Sequence, residues 1–163
     1  MPSRVICLKS IGVIHSPFKD AEGAPIQPSG AKGTPGKVVL DEAYEPGLKD
    51  LEGFSHLILL YHFHLCKKEQ LTVTPFLDKA EHGVFATRAP TRPNHIGVSI
   101  VRLKSRRANT LELLDVDVLD GTPLLDIKPL VPGFDLPYQE VRAGWLDEKA
   151  QKATEFRSDD RFK

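Results

Sequence analysis

The chain has 163 residues, in which 22 lysines and arginines balance 22 aspartates and glutamates, so its formal net charge at pH 7 is zero. This length fits one domain with a substantial core, and the balanced charge excludes attraction of nucleic acid by a global basic field, so an anionic partner must meet a local patch. The two cysteines form neither a disulfide framework nor a metal motif. No apolar run reaches membrane-span length, and no signal peptide is recognisable. We therefore expect a cytoplasmic protein without a membrane partner.

The 13 prolines and 12 glycines are scattered between short apolar runs, which favours short strands joined by turns. We predict seven or so strands, in chain order 5–15, 37–40, 56–63, 71–76, 96–103, 111–119 and 122–130. Segment 16–35 is rich in Pro, Gly, Ala and Ser, and we expect a long surface loop there, a kind of loop that is usually functional or disordered. In the third strand one face carries Leu57, Leu59, Tyr61 and Phe63.

The residue pattern of the chain changes after Pro137. Trp145, Ala150, Ala153 and Phe156 recur at roughly helical spacing in a charged stretch, which predicts one amphipathic helix over 145–155 followed by a charged tail. The predicted fold class is therefore all-β and mainly antiparallel, a small seven-stranded β-barrel with long loops and a C-terminal helix. We assign the barrel domain to 1–137 and the helical extension and tail to 138–163.

The segment 83–97 is the most constrained part of the chain. Pro90 and Pro93 fix their own φ angles and push the preceding residues toward extended backbone, so the loop is stiff. It carries Arg88 and Arg92, whose planar guanidinium groups suit phosphate or carboxylate recognition. On composition alone, a Pro-rich strand connection with two solvated arginines is an equal alternative.

A second candidate site is the segment 120–129, part of a stretch that Asp115, Asp117, Asp120 and Asp126 make unusually acidic for a strand pair. The Asp120-Gly121 pair is a tight-turn signal, and a simple turn is the favoured interpretation of that dipeptide. Asp126 lies inside an apolar strand, with Lys128 two residues on and therefore on the same face. If Asp126 is buried it needs such a partner. Carboxylates of this kind serve as general bases or stabilise a cationic ligand.

Histidines form a third candidate. His56, His62 and His64 lie opposite the apolar face of their strand, and His62 and His64 have the spacing of two metal ligands on one strand face. Because no third ligand has a fixed spacing, a polar face lining a cleft or an interface is favoured over a metal site.

A basic stripe is the fourth candidate. Arg102, Lys104 and Arg106 alternate along one strand, and facing phosphates they would give sequence-independent affinity. An ordinary solvated strand face is the favoured alternative. The chain has neither a Gly-x-Gly-x-x-Gly motif after a strand nor a P-loop, so a Rossmann-type nucleotide site is not supported.

Four segments, taken in order, resemble the TsaA/TrmO-like family: Ile11–Phe18, Leu51–Leu57, the run from Gly83 to Gly97, and Leu119–Pro129. The resemblance spans about residues 9–135. Characterised members are tRNA (N6-threonylcarbamoyladenosine-N6)-methyltransferases that use S-adenosylmethionine. The resemblance implies a small antiparallel β-barrel that works as a homodimer, with the cofactor near the dimer interface and tRNA as partner.

The resemblance also implies roles for particular residues. The positions matching cofactor contacts are Pro25, Ile26, Gln27, His64, Leu65, Arg88, Leu119, Asp120, Gly121 and Thr122. Asp126 and Lys128 belong to the motif beside the reaction centre, and Asp126 or Asp120 could accept the N6 proton, so the candidate catalytic groups are Asp126, Asp120 and Lys128. Anticodon-stem phosphates are expected to meet Arg92, Arg102, Lys104 and Arg106. No metal is expected.

The chain departs from the family pattern at three positions. The family often has an arginine where this chain has Ile26, a proline at His95, and a tyrosine at Leu130. The expected activity is methyl transfer to N6 of threonylcarbamoyladenosine next to the anticodon. Two alternatives remain open: a non-catalytic module that binds S-adenosylmethionine or RNA, and a metal-dependent hydrolase that uses the His56, His62 and His64 face.

Overall fold

The computed structural model describes residues 4–137 and 139–162. Its strands are β1 (Gly12–His15), β2 (Pro35–Leu40), β3 (His56–His62), β4 (Thr72–Val73), β5 (His82–Gly83), β6 (Ile96–Arg107), β7 (Thr110–Leu114) and β8 (Thr122–Pro129). Six of them close an antiparallel barrel in the order β1-β2-β7-β6-β3-β8. The remaining two, β4 and β5, form a separate two-stranded sheet with each other.

The predicted all-β barrel is confirmed, but the barrel has six strands and not seven. The predicted strand over 71–76 is the short β4, whose partner β5 lies in the same connection between β3 and β6. This local pairing satisfies the backbone of both short strands without a place in the barrel.

The other elements are short. One α-helical turn covers Pro132–Asp135, and 3-10 helices cover Pro28–Ala31, Glu42–Leu48, Leu51–Gly53, Val84–Ala86, Pro93–His95, Gly144–Leu146 and Ala150–Thr154. The prediction of one continuous helix over 145–155 is wrong. The two halves of that segment have separate anchors, because Trp145 Nε1 donates to the Ala86 carbonyl at 2.8 Å while Ala153 is buried next to Gly30. Tyr138, where the predicted extension begins, lies outside the described residues, and the division into two parts stays a prediction.

The barrel core follows the alternation read from the sequence. In β3, which pairs with β6 and β8, Leu57, Leu59 and Tyr61 are buried on one face, as predicted. Phe63 follows the strand and packs against the same core. The fully buried side chains of the core are Ile14, Val38, Leu57, Leu59, Val101, Leu111, Leu113, Val116 and Leu124. Burial of these aliphatic groups is the main force that closes the barrel.

The strand register brings three connections to one end of the barrel. His15 faces Lys37, His62 faces Ile96, and Ile14 faces Thr122. The loops 16–34, 63–95 and 115–121, which we call the first, second and third loops, therefore all emerge at the same end of the barrel. We call this end the loop end. The connection 41–55 and the 108–109 turn lie at the opposite end.

The C-terminal segment folds back onto two of these loops. Gly23 N donates to Ser158 O and Ser158 N donates to Ala24 O, both at 2.8 Å. Phe162 packs against a small buried cluster of Val73, Val84 and Ala89 in the loop 63–95. The tail thus holds the first and second loops to each other. Within the described part of the chain, no helix has the length and apolar character needed to cross a membrane.

Candidate functional site

The loop end gathers every segment that the resemblance matched to a cofactor. Residues 25–27 lie in the first loop, 64–65 and Arg88 in the second, and 119–121 in the third, with Thr122 opening β8. The first two loops make direct side-chain contact, because Arg88 Nη1 donates to Gln27 Oε1 at 3.0 Å. The sequence-predicted set is therefore brought together although its members lie far apart in the chain.

Members of this set differ in exposure. Pro25 and Thr122 are buried, and Pro25 forms an isolated β-bridge with Arg157 of the tail. Leu65 is exposed, whereas Ile26 and His64 are half-buried. Desolvation and the neighbouring His62 lower the pKa of His64, which favours the neutral ring. Pro25 and Thr122 thus support the loops, and the more exposed members are the ones available to a ligand.

The carboxylate of Asp120 is fully engaged within the protein. Its Oδ1 accepts from Ser16 N at 3.1 Å and lies 3.2 Å from His15 Nδ1, while Lys19 Nζ donates to Oδ2 at 2.5 Å. The Lys19 and Ser16 hydrogen bonds lower the Asp120 pKa to about 2. A carboxylate with this pKa is a weak proton acceptor, so the geometry favours a role in fixing the third loop to the first over the predicted catalytic role.

The loop with the two arginines is internally braced. Arg92 Nη1 donates to the Thr87 carbonyl at 3.0 Å, and His95 Nδ1 donates to the Pro90 carbonyl at 2.9 Å. His95 has a φ of 49°, in the left-handed region that proline cannot adopt. The departure from the related motif at His95 therefore allows a backbone turn that a proline would exclude, and Arg92 stabilises the loop itself.

A buried polar chain links the barrel wall to the third loop, and sequence reasoning missed it. Tyr61 Oη lies 2.9 Å from Ser99 Oγ, and Ser99 Oγ donates to Asp117 Oδ1 at 2.6 Å. Burial raises the pKa of Asp117 to about 6 and also raises that of Tyr61, while the positive charge of Arg88 lowers both. A Cβ at Gly97 would overlap the Tyr61 ring, so glycine lets the ring lie across β6. The available sequence signal was a serine on the apolar phase of β6.

Asp126 and Lys128 lie on the outer surface of the barrel. Lys128 Nζ lies 2.8 Å from Asp126 Oδ2, so the predicted pairing on one face is confirmed. The Asp126 side chain is nevertheless 46% exposed, because Ile127 and not Asp126 packs against the core. The pair is thus separated by the barrel wall from the core-facing groups of the site.

This outer surface is largely apolar. On β3, Leu60 lies between Asp126 of β8 and Val98 of β6. Ile58 of β3 likewise lies between Lys128 and Ile100. Val98 and Ile100 are 41% and 43% exposed. We call these six residues the outer wall.

The basic stripe does not form a free cationic face. Arg102 makes a two-point contact with Asp115, with Nε–Oδ2 at 2.5 Å and Nη2–Oδ1 at 3.0 Å, and it lowers the pKa of Asp115. Arg106 Nη1 lies 3.1 Å from Glu52 Oε1, in the connection at the opposite end. A register shift between Leu103 and Ser105 makes Lys104 the extra residue of a bulge and breaks the alternation. The prediction that the three side chains share one face open to phosphates is wrong for this reason.

The histidine face offers little to a metal. His56 and His62 both point outward but begin and end β3, and His64 lies beyond the strand. Across residues 4–137 and 139–162 no group of three or more His, Cys, Asp or Glu side chains could hold a metal ion. The hydrolase alternative therefore lacks the ligand cluster that it requires.

The fold defines a class: a closed antiparallel barrel with three loops, which carry the candidate site, at one end, distinct from α/β nucleotide-binding folds. Residues 13–136 match the model of the tRNA-methyltransferase O N-terminal domain. The chain belongs to this family, as the resemblance in its motifs predicted.

Relatives of known name support this membership. A probable S-adenosyl-L-methionine-binding protein of Pyrococcus abyssi is 54% identical, with the match covering 97% of this chain and 85% of that protein. The tRNA (adenine(37)-N6)-methyltransferase of Escherichia coli is 40% identical over 76% of this chain, which spans 57% of that enzyme. A crystal structure of TrmO from Pseudomonas aeruginosa aligns with a TM-score of 0.74 at 38% identity, covering 88% of this chain and 64% of that one.

Proposed function

We propose that this protein is an S-adenosylmethionine-dependent tRNA methyltransferase that acts on N6 of the adenosine next to the anticodon, with threonylcarbamoyladenosine as the substrate form. The observation that carries the proposal is the contact between Arg88 and Gln27, which joins two of the matched cofactor segments at the loop end. The E. coli relative named tRNA (adenine(37)-N6)-methyltransferase supports the reaction class. A tRNA partner implies action in the cytoplasm.

The residues of the loop end fit such a cofactor. Arg88 uses Nη1 for Gln27 and keeps further donors for a carboxylate, such as that of a methionine moiety. The backbone of 119–121 and the half-buried Ile26 would hold the apolar and adenosine parts. When bound, S-adenosylmethionine supplies an activated methyl group as a sulfonium. The protein aligns the acceptor and excludes water, since alignment alone lowers a barrier substantially.

We infer that other cations at the loop end contact the tRNA phosphates, since Lys104 lies in the half of β6 nearer the opposite end and the three predicted arginines already have partners. Arg92, Arg102 and Arg106 are engaged within the protein. Lys67 and Lys68 are exposed at the loop end, and neither forms an ion pair within the described residues. We assign phosphate contacts to these two lysines. The target base must leave its stack to reach the site, as in other enzymes that modify bases.

A homodimer completes the proposal, with a second copy covering the outer wall. Exposed aliphatic side chains at Val98 and Ile100 favour burial against another protein surface. The charged pair Asp126 and Lys128 lies in the same wall, outside the barrel. Asp126 and Lys128 would then contribute to a site only next to the partner subunit.

The test is methyl transfer by the purified protein to tRNA from a strain that lacks the N6-methyl modification, followed by nucleoside mass analysis. We expect methylated threonylcarbamoyladenosine with S-adenosylmethionine as donor. Methylation of unmodified adenosine would overturn the threonylcarbamoyl assignment. Binding of the cofactor without transfer would favour the second candidate, a non-catalytic binding protein; two archaeal relatives are named for S-adenosyl-L-methionine binding alone.

A further inference from the structure

The chain of Tyr61, Ser99 and Asp117 has a defined direction. Ser99 has one hydroxyl proton and donates it to Asp117 Oδ1, so Tyr61 must be the donor in its 2.9 Å contact with Ser99. The raised pKa of Tyr61 keeps that phenol protonated. Both hydrogen bonds therefore point toward the Asp117 carboxylate and hold it in one orientation.

The carboxylate belongs to the loop end. Asp117 lies in the third loop, two residues before the matched segment 119–121, at the edge of the buried barrel wall. The charged or titratable side chains that act on it are Arg88 from the second loop and Tyr61 from β3. Arg88 is the side chain that we assign to the cofactor. Asp117 is thus hydrogen-bonded to the barrel wall and is acted on by the positive charge of Arg88.

The other two candidate carboxylates are less suited to accept a proton. Asp120 is held ionised by Lys19 and Ser16, with its pKa lowered to about 2. Asp126 is paired with Lys128 on the outer wall. Asp117 has no lysine or arginine within ion-pair distance among the described residues, and a general base works best when its pKa is near the working pH.

We propose that Asp117 is the general base of the methyl transfer, oriented by Ser99 and Tyr61. This inference rests on the proposed function. As the lone pair of N6 bonds the methyl carbon, the methyl–sulfur bond breaks and its electron pair stays on sulfur. The N6–H proton passes to Asp117, and the electron pair of that N–H bond remains on nitrogen. Sulfur and N6 both end neutral, and Asp117 ends as a carboxylic acid.

The direct test compares Asp117→Asn with the wild-type protein in single-turnover transfer at saturating cofactor and tRNA. We expect a rate lower by about 10²-fold, typical of a missing general base, with cofactor affinity by calorimetry within about threefold. The matched control is Asp41→Asn, since Asp41 is exposed beyond β2 at the opposite end and its side chain makes no capping hydrogen bond. Its rate should equal that of wild type.

The second test is the pH profile. The wild-type rate should rise with pH and level off above a midpoint near pH 6, because the base must be ionised. Ser99→Ala removes a hydrogen bond that lowers the Asp117 pKa, so its midpoint should move upward. In the cofactor-free protein, the carboxyl signal of ¹³C-labelled Asp117 should titrate with the same midpoint and the same displacement.

Three outcomes separate the possibilities. Unchanged transfer by Asp117→Asn, with an active wild type, would overturn the inference and leave the proposed function standing. A wild-type rate without a rise near pH 6, or a Ser99→Ala midpoint that does not move, would equally overturn it. A wild type that binds cofactor but methylates no tRNA would refute the proposed function, and the inference with it.

Discussion

Arg88 donates a hydrogen bond of 3.0 Å to Gln27, a residue 61 positions earlier in the chain. The contact bridges the first and second loops at the loop end and leaves further guanidinium donors for a ligand. It explains why an arginine in a stiff, proline-containing loop and a residue in a long Pro- and Gly-rich loop belong to one site.

Loss of the Arg88 guanidinium should weaken cofactor binding. A hydrogen bond to a charged group contributes about 1.5–3 kcal/mol, so we expect the Kd for S-adenosylmethionine to rise at least about tenfold in Arg88→Ala, as measured by calorimetry. Arg107→Ala is the matched control, because Arg107 is exposed next to the turn at the opposite end. An affinity unchanged in Arg88→Ala would remove this arginine from the cofactor site.

Acid should remove the contribution of Asp120 to stability. The Asp120 pKa falls from its ordinary 3.8 to about 2 on folding, so the stabilisation is complete above pH 3.8 and disappears as the pH drops toward 2. Asp120→Asn should therefore lower the free energy of unfolding near neutral pH, and the difference from wild type should shrink on acidification. Urea denaturation across this pH range measures both. A pH-independent difference would contradict the assignment.

Salt dependence should identify the lysines that meet tRNA. Removing one lysine that binds a phosphate lowers the slope of log K against log salt by about 1, so Lys67→Ala with Lys68→Ala should lower it by about 2. The control is Lys49→Ala, an exposed lysine in the connection at the opposite end. Fluorescence titration with tRNA provides the slopes, and equal slopes for wild type and the double variant would exclude these lysines.

A charge in the outer wall should disrupt the proposed dimer. Ile100→Asp places a carboxylate among aliphatic side chains of the interface, and desolvating it there is costly. We expect wild type to elute as a dimer and this variant as a monomer in size-exclusion chromatography with light scattering. Leu71→Asp, at a position 64% exposed in the second loop, should remain dimeric. A monomeric wild type would refute the dimer.

The docking of the C-terminal segment 139–162 onto the loops should depend on Trp145. Its ring stacks on His82 with a centroid distance of 4.4 Å, and its Nε1 donates to the Ala86 carbonyl at 2.8 Å. Trp145→Ala should lower the free energy of unfolding by about 1–3 kcal/mol, measured by urea denaturation. Trp145→Phe keeps an aromatic ring and should lose less. If both variants have the wild-type free energy of unfolding, Trp145 does not contribute to stability by docking the C-terminal segment.

The sequence by itself was sufficient to predict the barrel wall and the loops that carry the candidate site. Alternation of buried and exposed residues, as in Leu57, Leu59 and Tyr61, is a local property with a period of two, and it predicts which face of a strand is buried. The proline-braced loop with Arg88 was recognisable because proline restricts the backbone wherever it occurs.

Only the tertiary structure decided which charges are free and which are satisfied. The ion pair of Arg102 with Asp115 and the hydrogen bond of Ser99 to Asp117 depend on the strand register and on the path of the third loop. Trp145 and Ala153 are anchored separately, and not in one helix as predicted, because the C-terminal segment contacts two different loops. Such contacts join residues distant in the chain, and local periodicity carries no information about them until the barrel closes.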